Sequence, residues 1–284
     1  MSKFLENLDK IDRRYIFLII AIVVMLPLIF PLGLPVEPTN LTIDAFDAVN
    51  KIPKDDKVLV SFDYGPSTKP EIHPMAIAVL RHLFTNGNRV IITCLWPDGL
   101  FMARDALEQV AHKEFDLKYG VDYVNLGYRP GNEAVIKGIT RSFPANFTVD
   151  SKGTEIKKIP LMDGMQSLKD VGFIFSLSAG YPGSKEWVQY ASDPLKITSS
   201  TGVTSIQVNE ILPFVKSEQL NGIVAGMPGA AEYEQLLVKN GIHPTIGTAG
   251  KSMDAQSIAH LVIVLFIIIG NISYFAKRKK EKKY

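Results

Sequence analysis

One cysteine, Cys94, stands in 284 residues, so no intrachain disulfide can form and the fold must hold through its core alone. A zinc site built on cysteines is excluded for the same reason. The five histidines (His73, His82, His112, His243 and His260) are scattered, with no H-E-x-x-H or other metal-ligand spacing, and no metal site is read from the chain. There is no G-x-S-x-G nucleophile turn, no Walker A loop and no G-x-G-x-x-G, so the sequence names no cofactor. Charge is missing altogether from two long runs, and that absence says most about the chain.

Tyr15 to Leu34 is 20 residues without a charge. A bilayer core of about 30 Å takes about 20 helical residues. A secretory signal has an apolar region of only about 7–15 residues before a small-residue cleavage site. This run is longer, and Leu34-Pro35-Val36-Glu37-Pro38 offers no such site, so the reading is an uncleaved anchor. Ile258 to Phe275 is a second uncharged run of 18 residues, with His260, Asn271 and Tyr274 toward its ends, where interfaces tolerate polar groups. A basic tail follows directly, as in a stop-transfer sequence.

Net charge is +2, unevenly spread. Residues 1–14 carry Lys3, Lys10, Arg13 and Arg14, and the tail after Phe275 carries Lys277, Arg278, Lys279, Lys280, Lys282 and Lys283. With those ten basic residues and the four acidic residues of the two ends set aside, 21 basic and 25 acidic residues remain in the middle. A mildly acidic middle argues against nucleic acid as a partner. Basic flanks stay on the cytoplasmic side, and an even number of spans makes both ends agree. The expected protein is therefore two-pass in the cell membrane, with both termini cytoplasmic and the central domain extracytoplasmic. Its expected partners are the lipid bilayer and other membrane proteins.

The expected organisation is a cytoplasmic N-tail at 1–14, transmembrane helix 1 at 15–34, a linker and short helix at 35–56, an extracytoplasmic α/β domain at 57–250, transmembrane helix 2 at 258–275, and a basic cytoplasmic tail at 276–284. Within 57–250, short β-rich apolar runs (57–63, 89–96, 122–126, 173–177, 196–199 and 222–226) alternate with helical patterns at 74–86, 100–115, 132–143, 161–170, 184–191, 204–217 and 230–239. Residues 144–159 read as a hairpin, loop or insertion. The alternation predicts a single doubly wound, mostly parallel, Rossmann-like α/β sheet of about six strands, flanked by the two transmembrane helices.

Ligands of such sheets bind beyond the carboxyl ends of the strands. Asp63 ends the first strand, where a carboxylate either meets a ligand or caps its own turn. Arg129 at the third strand end suits bidentate pairing with an anion, or a surface ion pair. The loop from Ser178 to Lys185, with Gly180, Gly183 and Ser184, offers close backbone approach and free N–H groups to a small anionic ligand. Strand-to-helix turns also need glycine and serine for their own geometry. Glu232 and Glu234 read as acids answering the dipole of their own helix. Three functions stay open: a ligand-binding or assembly module of a membrane complex, a membrane-tethered enzyme acting on an anionic or carbohydrate substrate, and, with inverted topology, a cytoplasmic nucleotide binder.

Overall fold

The computed structural model describes residues 12–281; the first eleven residues of the predicted N-tail and the last three of the basic tail lie outside them. The described chain divides into two units, Val36–Ala249 and a second formed by 12–35 with 250–281.

The first unit is built on one six-stranded sheet in which every pairing is parallel. In chain order its elements begin with helix α2 (Asn40–Asn50), β1 (Lys57–Asp63), α3 (Lys69–Thr85), β2 (Arg89–Cys94) and α4 (Gly99–Leu107), which winds on with wider turns through Glu108–Glu114. β3 (Tyr123–Tyr128), α5 (Glu133–Ile139), α6 (Phe143–Asn146) and β4 (Phe173–Ser178) follow. The last elements are α7 (Ser184–Trp187, running on through Val188–Ser192), β5 (Thr198–Val203), α8 (Val208–Lys216), β6 (Ile223–Ala225) and α9 (Gly226–Lys239). Spatial order is β3-β2-β1-β4-β5-β6, the doubly wound order with its switch point between β1 and β4.

Central strands covered on both faces need continuous apolar runs rather than alternation. β1 meets this with Val58, Leu59, Val60 and Phe62, all fully buried. Leu59, Ile91 and Ile174 face a core shared with α5, α6, α7 and the turns of 156–171, while α3 covers β2, β4 and β5 and packs against α9.

Several boundaries differ from the sequence pattern. α3 starts at Lys69, not Pro74, because Pro70 falls in the first turn, where its missing N–H costs nothing. The pattern at 161–170 forms no helix: Gly164 sits at φ +73° between two short turns, Pro160–Met162 and Leu168–Asp170. The predicted helix over 132–143 stops at Ile139, since Ser142 caps a separate turn that carries Pro144. β5 runs on to Val203, so Ser200, Thr201 and Gly202 lie inside a buried strand rather than in a strand-end loop. Glu232 and Glu234 lie well inside α9 and answer other helices: Glu232 accepts from Thr39 N–H and the Thr39 and Thr42 hydroxyls at the start of α2, and Glu234 accepts from Ala249 N–H.

In the second unit, helix α1 (Arg13–Ile29) spans 17 residues and contains Pro27. Helix α10 (Thr248–Glu281) includes a 28-residue stretch, Thr248–Phe275, long and apolar enough to cross a membrane. It is the one such helix among the described residues; the apolar part of α1, Arg14–Ile29, is shorter. Asp254 of α10 is buried and accepts the consecutive backbone N–H groups of Leu32, Gly33 and Leu34 at 2.9, 2.9 and 3.1 Å. That segment has left the helix, so its N–H groups need an acceptor from elsewhere.

Candidate functional site

The switch point brings the ends of β1 and β4 side by side, with Asp63 paired in register to Ser178. Asp63 is fully buried. One carboxylate oxygen accepts Leu95 N–H at 2.7 Å, and the other accepts the Ser61 hydroxyl at 2.7 Å and Trp187 Nε1–H at 2.9 Å. The carboxylate thus ties β1, the loop after β2 and α7 together. Burial pushes its pKa up to about 7, against the three hydrogen bonds that favour the charged form. The same burial, with Asp63 beside it, pushes the Cys94 thiol up and keeps it protonated.

The loop of Ser178 to Lys185 is held by its own groups. Ser178 Oγ donates to Gly180 O at 3.0 Å, and Trp96 Nε1 donates to Pro182 O at 2.8 Å. Gly183 N–H, the group expected to face an anion, is taken by Glu186 at 2.8 Å. Ser184 is buried and joins Ser176 and Thr201 in a hydroxyl cluster. Gly99 begins α4 where a Cβ would overlap the Phe62 carbonyl, so helix and strand approach too closely there for any side chain.

Arg129 is exposed, and its N–H donates to Cys94 O at 3.2 Å. It borders a cavity of about 290 Å³ with Gly127, Tyr128, Thr148 and Ser151; neither Asp63 nor the Ser178 loop contributes to that cavity. The structure therefore joins Asp63 to Ser178 and leaves Arg129 in a separate setting.

A polar chain not anticipated from the sequence starts one residue past Asp63. Tyr64, fully buried, shares a hydrogen bond with His73 Nδ1 at 2.8 Å; His73 Nε2 lies 3.4 Å from Asp105, which Lys69 holds at 2.5 Å. Burial and the Lys69 charge lower the His73 pKa to about 4, so the imidazole is neutral at pH 7. Three segments contribute: Tyr64 follows β1, Lys69 and His73 lie on α3, and Asp105 lies on α4, so no local spacing signals the whole set. Among the described residues no group of three or more His, Cys, Asp or Glu side chains is arranged to hold a metal ion.

Comparison of the chain with protein-family models, with curated proteins and with solved structures gave no match. The reading of function therefore rests on the strand order, the apolar helix and the geometry above.

Proposed function

We propose that this chain is a two-pass integral membrane protein whose extracytoplasmic α/β unit serves as a ligand-binding or assembly module of a membrane complex. The observation that carries the reading is what the carboxyl edge of the sheet exposes. Its polar groups at the switch point are turned inward, while Phe101, Tyr181 and Ile206, each on a different carboxyl-edge segment, are 58%, 61% and 90% exposed. Large apolar side chains held in water favour a partner surface.

The membrane half of the reading draws on α10 and α1. A 28-residue helix is about 42 Å long, more than the hydrocarbon thickness. Seventeen residues of α1 reach only about 25 Å, and Phe30 to Leu34 continue the apolar run beyond it. Irregular backbone at membrane depth is tolerated only where its N–H groups are satisfied internally, as Asp254 does for Leu32 to Leu34. Basic flanks at both ends support cytoplasmic tails.

The test is the size of the native complex in mild detergent. Wild-type chain is expected to migrate in an assembly larger than a monomer, and Ile206→Asp with Phe101→Asp to reduce it to the monomer while the domain stays folded. A wild-type chain that extracts as a monodisperse, partner-free and ligand-free monomer overturns the proposal. Engineered single cysteines on α8, labelled in intact cells, test the orientation.

The second reading, a membrane-tethered enzyme at the same edge, has one observation in its favour: a carboxyl poised at about 7 at the switch point. It requires a cellular activity that Asp63→Asn abolishes without unfolding the chain.

A further inference from the structure

Beside the edge strand β3 lies a cavity of about 560 Å³, within the size range of small-molecule sites. Leu100, Leu107 and Leu117 supply apolar wall, and Tyr119 and Tyr123 meet edge to face with centroids 5.3 Å apart. Arg104 and Lys152 border it from opposite segments, α4 and the turn joined to β3 by Ser151 N–H to Asn125 O. Neither has an ion-pair partner among the described residues; Arg104 lies over the Phe101 ring and Lys152 over the Tyr119 ring. The one acid of the lining, Glu108, is answered by Lys113 at 3.6 Å. Asp150, behind Tyr119, accepts the Tyr119 hydroxyl and two backbone N–H groups.

Asn125 gives the second, independent sign. Its residue is only 4% exposed, and its Oδ1 accepts Gly127 N–H at 2.9 Å. Its Nδ2 donates to no group among the described residues, although the side chain borders the cavity. The residue as a whole is buried, but this nitrogen keeps access to solvent, so the cavity offers it as a donor to a ligand. The wall also contains the widened turns of Glu108–Glu114, a geometry that recurs at functional sites.

We infer that this cavity binds a small organic anion, a carboxylate or a phosphate monoester, with a flat apolar body. The anionic group is met by Arg104, Lys152 and the free Asn125 amide, and the body lies among the leucines and tyrosines. The site adjoins the carboxyl-edge surface of the assembly reading only through Arg104 over Phe101. To tell the two apart, complex size is read on Ile206→Asp alone and ligand binding on Asn125→Asp and Lys152→Gln, and either can fail alone.

The test uses the full chain in detergent with benzoate, phenyl phosphate, benzamide and inorganic phosphate. Binding of the three aromatic probes is read by ligand-observed saturation-transfer NMR and that of inorganic phosphate by its displacement of the aromatic anion. Saturable binding of benzoate or phenyl phosphate is expected, with benzamide and inorganic phosphate about tenfold or more weaker, the loss of about 1.4 kcal/mol. Binding of one anion and not the other assigns the head group. The double variant Arg104→Gln, Lys152→Gln changes two exposed side chains and is expected to weaken binding at least about tenfold, with unchanged thermal unfolding. Asn125→Asp keeps the acceptor for Gly127, removes the donor, and is expected to abolish anion binding. Benzamide or inorganic phosphate binding as tightly as the aromatic anions, binding unchanged in the double variant, or no saturable binding of any probe overturns the inference.

Discussion

Replacing Asp63 by asparagine tests the central electrostatic feature of the fold. An acid whose folded pKa lies above its unfolded one favours the fold while protonated, and that stability is lost as pH rises through the folded value. For Asp63 the window runs from 3.8 to about 7. About three pH units at 1.36 kcal/mol each put the loss at order 4 kcal/mol. His73 and His82 act in the opposite sense. Burial lowers both from 6.5 to about 4, so the folded chain binds fewer protons than the unfolded one between those values, and stability rises with pH there. The wild-type curve mixes these slopes, with two rising groups against one falling group up to about 6.5 and the falling group alone from there to about 7. Asp63→Asn removes the falling component only.

Asparagine cannot serve all three donors, because its NH2 must face either Leu95 N–H or the Ser61 and Trp187 donors. A buried donor left unpaired costs about 1–3 kcal/mol, so the variant starts below wild type at pH 4. It then gains on wild type by about 4 kcal/mol as pH rises to 7, whatever its starting deficit. Denaturant unfolding of the detergent-solubilised chain at a series of pH values, followed by the fluorescence of its two tryptophans, Trp96 and Trp187, measures this. A stability difference between the two proteins that stays flat across the window refutes the reasoning.

Other substitutions separate local interactions from the fold as a whole. Glu114→Ala removes both acceptors of the bidentate pair with the buried Arg81 (2.7 and 2.7 Å) and is expected to cost about 3–5 kcal/mol in denaturant unfolding, since a buried charge is left unpaired. Glu232→Ala strips the start of α2 of its acceptor and is expected to cost about 1–3 kcal/mol, whereas Glu232→Gln, which retains an oxygen there, should cost less than half as much. Asp254→Ala leaves three consecutive N–H groups without an acceptor, at about 1–3 kcal/mol each before relaxation. It should open the Leu32 to Leu34 segment to proteolysis in detergent, while Asp254→Asn has the smaller effect. Gly99→Ala drives a Cβ into the Phe62 carbonyl and should lower the unfolding temperature of the α/β unit, with the anchor segments unaffected.

Periodicity made the alternation of strands and helices legible because β1, β2 and β4 are buried on both faces and so each carries a short apolar run, Val58 to Val60, Val90 to Ile92 and Phe173 to Phe175. β5 was only half legible. Its Ser200 and Thr201 look like a loop, yet both are buried: Thr201 bonds Ser176 of β4 and Ser184 of α7, while the Ser199 and Ser200 hydroxyls are buried with no hydrogen-bond partner among the described residues. Ser178 and Asp63 were legible only as separate strand ends, because β4 reaches its place beside β1 through the long connection from Tyr128 to Phe173, whose course no local pattern gives. That their polar atoms would bind Gly180, Leu95, Ser61 and Trp187 was not legible, since those partners come from separate segments.

The sequence alone determined what depends on contiguous residues: the long apolar stretch that makes α10 a membrane candidate, the absence of cross-links, and the α/β class, each set by hydropathy summed along the chain. Only the tertiary structure decided where each buried charge finds its partner. Glu232 serves a helix 190 residues away, Asp254 holds a segment more than 200 residues before it, and Arg104 and Lys152 converge on one cavity. Hydrogen bonds act over about 3 Å in space without regard to separation along the chain, so no local pattern encodes them.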